Sequence, residues 1–196
     1  MRIHKLALFA AAAAAVAIAV LHAGTLANAT TLERMSLAKM AQTAPLIVRA
    51  RCLANSTAWD AGEIWTFTSF AIEDTWKGAP PGAAAQLTVR LLGGSLGNLT
   101  STVSGVPRFH PGEELILFLE PTSRGDFSIV SWVQGTFRIH RDPRTGGEIV
   151  LQDTAAFDTF NPATHRFESA GIRNLSVAAF SAQVQSALRA TTGEKK

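Results

Sequence analysis

The sequence holds a single cysteine, Cys52, among 196 residues. One thiol permits no internal disulfide, so the chain is not a small exported scaffold stapled by several bridges. No cysteine stands near the end of its N-terminal apolar run either, which excludes a lipid anchor attached at a cleavage point. An excess of one charge is also missing. The net charge is +3 at pH 7, and two of the cations, Arg2 and Lys5, lie at the extreme N-terminus. Without those two the chain is close to neutral, and nucleic-acid binding loses its electrostatic warrant. Internal repeats, an H-E-x-x-H pair and the Gly-Lys-Ser/Thr ending of a phosphate-binding loop are all absent. Neither a zinc-protease helix nor a nucleotide-binding loop is therefore indicated.

What is present begins with a leader. Arg2 and Lys5 precede an uncharged run from Leu6 to Leu21, and Ala27-Asn28-Ala29 follows as a small-x-small site. These are the three parts of a cleavable secretory signal. A membrane anchor would want ~20 apolar residues, so no span is expected once residues 1–29 are removed. The expectation is a secreted or periplasmic protein starting at Thr30. About 170 residues then remain, enough for one domain over 30–190 with a sizeable core, followed by a polar tail at 191–196.

Ser36 can cap a short helix in which Leu37, Met40, Ala41 and Ala44 share one face, and Pro45 stops it. Seven strand-like runs follow. Leu46 to Ala54 places Arg49 and Arg51 on one face and Val48, Ala50, Cys52 and Ala54 on the other, which predicts a buried thiol. Ile64 to Trp76 carries Trp65 and Phe67 in one phase but Phe70, Ile72 and Trp76 in the other, predicting a β-bulge near Ser69. Leu87 to Leu91 alternates cleanly, and Leu115 to Leu119 is apolar throughout, as a strand covered on both faces should be. Phe127 to Val133, Thr136 to His140 and Ile149 to Leu151 complete the set. Gly93 to Gly112 and Ala155 to Arg173 read as irregular. Last comes an amphipathic helix with Val177, Phe180, Val184 and Leu188 on one stripe behind Ser176.

Short strands with Gly and Pro turns, and helices only at the two ends, predict a mainly β fold. The architecture expected is a small OB-like barrel with a short N-terminal helix and a C-terminal amphipathic helix. The order Ala44-Pro-Leu-Ile-Val-Arg-Ala-Arg-Cys52, Trp65-Thr-Phe, Trp76-Lys77-Gly78 and Gly112-Glu-Glu-Leu-Ile-Leu-Phe-Leu119 resembles netrin-like modules. These include the inhibitory domain of tissue inhibitors of metalloproteinases, and some exported bacterial proteins share the same order. The resemblance spans Ala44 to Leu119 and implies a barrel scaffold with a binding role. The metalloproteinase inhibitors chelate zinc through a cysteine at the mature N-terminus. Thr30 stands there in this chain, so that chemistry does not carry over.

Gly93-Gly94-Ser95-Leu96-Gly97 fits the nucleophile-elbow pattern G-x-S-x-G, with Asp158 and His165 downstream, but the elbow needs a helix right after the serine. Asn98 to Pro107 does not read as one. His110, His140 and His165 are dispersed, and Glu113 and Glu114, being adjacent on a strand, point to opposite faces. A non-enzymatic binding module that docks to or inhibits an exported or envelope protein is therefore preferred. The alternative is a small exported hydrolase using Ser95 or a His-based metal site. Loops on a rigid barrel concentrate binding residues. The candidate partner-binding residues are Trp59, in the turn from Ala58 to Gly62, and Leu96, Leu99, Val106 and Phe109 of the long loop. The five apolar residues of that loop, Leu96, Leu99, Val103, Val106 and Phe109, could instead plug the barrel, in which case they would be buried.

Overall fold

The computed structural model describes residues 32–80, 85–154, 158–169 and 171–193. The predicted leader, 1–29, and the tail residues 194–196 lie outside the described residues. In chain order the elements are helix α1 (Leu37–Thr43), strands β1 (Leu46–Asp60), β2 (Glu63–Lys77), β3 (Gln86–Leu92), β4 (Gly94–Leu96), β5 (Leu99–Ser101), β6 (Glu114–Pro121) and β7 (Phe127–Ile129). A 3-10 turn at Trp132–Gly135 leads to β8 (Thr136–Arg141), β9 (Glu148–Gln152), β10 (Asp158–Asn161), β11 (Arg166–Ser169), β12 (Leu175–Ser176) and helix α2 (Val177–Gly193). No helix among the described residues is long and apolar enough to cross a membrane.

Strands β1, β2, β3, β7 and β6 pair in that order, and β6 returns to β1, making a partly closed, OB-like five-stranded barrel. The fold is mainly β with a short helix before the barrel and an amphipathic helix at the C-terminus, as the sequence leads one to expect. Closure is weakest between β3 and β7, which meet in parallel at Val89 and Phe127. From β6 the sheet continues outward through β8, β9 and β12.

Two cores follow from the alternation of side chains. Val48, Ala50, Leu115, Leu117 and Leu119 point into the barrel with Cys52, Phe70, Leu87, Val89 and Ile129. Ile47, Ile116 and Phe118 point outward and meet Phe137, Val150 and the helix residues Met40, Ala41, Phe180 and Val184. The apolar run at Leu115 to Leu119 is thus covered on both faces because one face lines the barrel and the other carries the helices. Helix α1 is held at both ends. Ser36 Oγ accepts the Lys39 N–H at its start (3.1 Å), and Lys77 Nζ donates to the Ala41 and Gln42 carbonyls at its end (2.7 and 3.0 Å). Burial pulls the Lys77 ammonium below its ordinary value.

Several expectations are corrected. β1 runs on to Asp60 rather than stopping at Ala54, because Asn55 to Ala58 keep pairing with β2 as far as a tight turn at Ala61 and Gly62, both at positive φ. The β2 phase does not flip near Ser69: Ile64, Thr66, Thr68 and Phe70 all face inward, while Trp65 and Phe67 face outward beneath Arg90. The register slip opposite Ser69 belongs to β1, at Leu53, so Ala54 leaves the buried phase and is exposed. Two further slips fall between Ile47 and Val48 and between Arg49 and Ala50. The segment from Gly93 to Gly112 contains the β4–β5 hairpin, and that from Ala155 to Arg173 contains the β10–β11 hairpin. The strand expected from Phe127 to Val133 ends at Ile129, where Ser131 and Trp132 both take positive φ and turn the chain. Thr191 to Gly193, assigned to the tail, continue α2.

Candidate functional site: the open end of the barrel

The β1–β6 ladder ends at Arg51 and Glu114, so the rest of β1 and its β2 partner project past the barrel wall. In this projecting part the inward residues between the barrel core and Ile64 at the tip are polar. Thr68 Oγ1 donates to Asn55 Oδ1 (2.7 Å), Asn55 Nδ2 donates to the Phe109 carbonyl (2.8 Å), and Thr66 Oγ1 donates to the Gly93 carbonyl (2.7 Å). These bonds satisfy groups that would otherwise be costly to enclose. β4 crosses closely over them. A Cβ on Gly94 would lie 2.4 Å from Thr66 Oγ1, and its φ of +140° also excludes other side chains. What remains is a cavity of about 250 Å³ walled by Asn55, Thr57, Thr66, Thr68, the stretch 91–95, Val103 and the stretch 106–110.

The predicted binding residues divide into two groups here. Leu96 and Leu99, on the β4–β5 hairpin, are 37% and 58% exposed, and Trp59 is 56% exposed. Trp59 stands not in a turn but in β1, opposite Ile64. Phe109 is only 5% exposed and packs edge-on against Phe70 at 5.2 Å, and Val106 packs on the same core. Phe109 and Val106 therefore serve as the plug, whereas Leu96 and Leu99 form a lip. Arg138 NH2 on the Arg108 carbonyl (2.8 Å) and Val133 N–H on the Gly105 carbonyl (3.2 Å) tie the plug down.

The outer surface of this end carries a cluster that sequence reasoning missed. Arg90, 7% exposed, donates to Asp60 (2.7 Å) and lies 4.1 Å over the Trp65 ring. Arg124 shares Asp60 at 2.6 Å, and Asp126, itself bonded to Thr122, stands 3.8 Å from Arg90 Nε. The Arg90 guanidinium, with Arg124 beside it, holds the Asp60 carboxyl below the usual carboxylate range. The cluster ties the β1–β2 tip to β3 and to the β6–β7 turn beside the weak β3–β7 closure. Outward aromatics at Trp65 and Phe67 facing an arginine on the next strand were the signal available.

The hydrolytic elements do not assemble into an elbow. Ser95 lies in a hairpin with no helix after it, and its Oγ is hydrogen-bonded to Thr100 Oγ1 (3.0 Å). His165 turns toward the Phe160 ring in the β10–β11 hairpin. His110 shares the cavity wall with Ser95, but its Nδ1 faces Glu113 at 3.3 Å. Burial pushes the Glu113 carboxyl up, yet the His110 backbone N–H and the Arg138 guanidinium together hold it below its ordinary value. Glu114 points the other way, to Arg49 and Arg51 at 2.8 and 2.7 Å. His140 is exposed at the end of β8, and Asp142 is engaged by the Arg144 N–H and the Thr145 hydroxyl of the next turn. No group of three or more metal-ligating side chains occurs among the described residues. Cys52 lies in the barrel core, and burial raises its thiol, with Glu113 adding to the shift.

Fold and site together define a small β-barrel protein with a polar, partly plugged mouth and an apolar lip. No family model matches the chain, and no curated protein matches it.

Proposed function

We propose that the protein is an exported, non-enzymatic binding module that engages an exported or envelope protein at the open end of its barrel. One observation carries this reading: the mouth cavity of about 250 Å³ opens beside side chains, Leu96, Leu99 and Trp59, that a monomer leaves in water. A concave polar pocket flanked by exposed apolar groups on a rigid barrel is the usual composition of a recognition site. The leader at residues 1–29 supports export to the periplasm or medium. The sequence resemblance from Ala44 to Leu119 supports a netrin-like scaffold, and the return of β6 to β1 is consistent with it. Inhibition of metalloproteinases through an N-terminal cysteine is not part of the proposal.

The test places a photo-crosslinking residue at Leu99 in the natural host and another at Phe167, an equally exposed side chain on the β10–β11 hairpin. One exported protein captured at position 99 and absent at position 167 is the expected result. The same background at both positions defeats the proposal.

A further inference from the structure

The projecting part of β1 offers a second kind of recognition, independent of what the mouth binds. From Leu53 to Asp60 its ladder among the described residues is with β2, on one edge. The Gly112 N–H donating to the Cys52 carbonyl (2.8 Å) marks where the other edge leaves the barrel wall. An unpaired edge presents a row of N–H and C=O groups to any extended chain, and proteins ordinarily blunt such edges with charge or proline. Here Ala54 to Trp59 contains neither, the bulge at Leu53 stands before it, and the register from Ala54 to Asp60 is unbroken.

The edge also matches itself. Ala54-Asn55-Ser56-Thr57-Ala58 is nearly symmetric about Ser56. Two such strands laid antiparallel with Ser56 opposite Ser56 put Ala54 opposite Ala58 and Asn55 opposite Thr57, all within the stretch of unbroken register that begins after the bulge at Leu53. Each pairing then occurs twice, as a twofold axis requires. Small residues meet small ones, and a polar residue meets a polar one. No like charges face each other between Ala54 and Ala58.

We infer that two copies of this chain associate edge to edge through residues 54–58 of β1, joining their barrels into one continuous sheet about a twofold axis at Ser56. The alternatives, a monomer or a dimer formed through another surface, are separated by one set of variants.

Sedimentation of the purified chain over a concentration series is expected to show a reversible monomer–dimer equilibrium. Ala54→Lys with Ala58→Lys, both at exposed positions, sets lysine against lysine twice and is expected to weaken the dimer about tenfold or more. Ala54→Lys with Ala58→Glu sets lysine against glutamate twice in the same register and is expected to restore it. Ser56→Cys is expected to give a disulfide-linked dimer on mild oxidation, since facing strand residues lie ~4.5–5.5 Å apart at Cα, within disulfide reach. A monomer at every concentration overturns the inference. So does a lysine–lysine variant that dimerises like the parent, or a lysine–glutamate variant that does not recover. If the charged variants fail to fold, as judged by circular dichroism, the Ser56→Cys result decides, and absence of the covalent dimer overturns the inference.

Discussion

One strand, β1, belongs to two different environments, and the contrast between them organises the molecule. From Leu46 to Cys52 it is flanked by β2 and β6, with Val48 and Ala50 facing the barrel interior and Ile47 facing the helices. From Leu53 to Asp60 its ladder among the described residues is with β2, its inward side chains include Asn55 and Thr57, and most of its residues are exposed. The first half is held by apolar burial on its inner face and, on its outer face, by Ile47 against the helices and by ion pairs of Arg49 and Arg51 with Glu73, Glu114 and Glu148. The second is held by hydrogen bonds, the Arg90 cluster and a borrowed plug, Phe109. Stability and binding potential are thus divided along a single element, consistent with the general rule that recognition sites come from the less stable parts of a fold.

Four experiments break or sharpen that contrast, and they are ordered by expected effect. Phe118→Ala empties the helix-covered side of β6, where Phe118 is fully buried beside Phe137 and Phe180 at ring distances of 5.3 and 6.5 Å. The expected loss is about 3–5 kcal/mol in chemical denaturation, enough to unfold a marginal domain. Arg90→Leu acts on the other half. Asp60 keeps Arg124 and stays partly in water, so the cost is about 2 kcal/mol, below that of a fully buried pair. Faster amide hydrogen exchange from Leu53 to Ser69, with Leu115 to Leu119 still protected, would show that the clasp serves only the projecting end.

Acid provides the third. Asp60 and Glu113 both titrate below their ordinary values in the folded chain, the first through Arg90 and the second through the His110 N–H and Arg138 despite burial. Groups lowered by folding contribute fully above the ordinary carboxylate value of ~4 and lose that contribution as pH falls through the lowered folded value. Stability therefore drops on acidification below pH ~4. Asp60→Asn and Glu113→Gln should each flatten the acid limb of a denaturation–pH curve, and exchange should accelerate first in the projecting end. The smallest effect is expected for Ser95→Ala, less than about 0.5 kcal/mol, because Ser95 is exposed and bonded only to Thr100. Any esterase activity of the purified protein should survive the change. Its selective loss would instead make Ser95 a nucleophile and displace the binding reading.

Parts of this division are legible in the amino-acid pattern alone. Alternation places Val48, Ala50 and Cys52 inside, and the apolar run at Leu115 to Leu119 marks a strand covered twice, because period-two patterning reports burial directly. The stripe of Phe180 and Val184 does the same for α2. The projecting end is illegible for a physical reason. Asn, Ser and Thr from Asn55 to Thr57 have little shared preference for a strand, and only pairing with Thr66, Phe67 and Thr68 puts them in one. Trp65 and Phe67 have the composition of core residues, yet they face outward, where Arg90 from the next strand covers them.

By itself the sequence determined the class of fold, the helices at either end and the buried thiol, since each depends on local pattern or composition. Only the tertiary structure decided that β6 returns to β1 and leaves β1 projecting, that Phe109 and Val106 plug the mouth, and that Leu96 and Leu99 remain outside. Those outcomes depend on which segments meet across long stretches of chain, and five apolar residues in a loop carry no mark of whether a barrel end will be there to receive them.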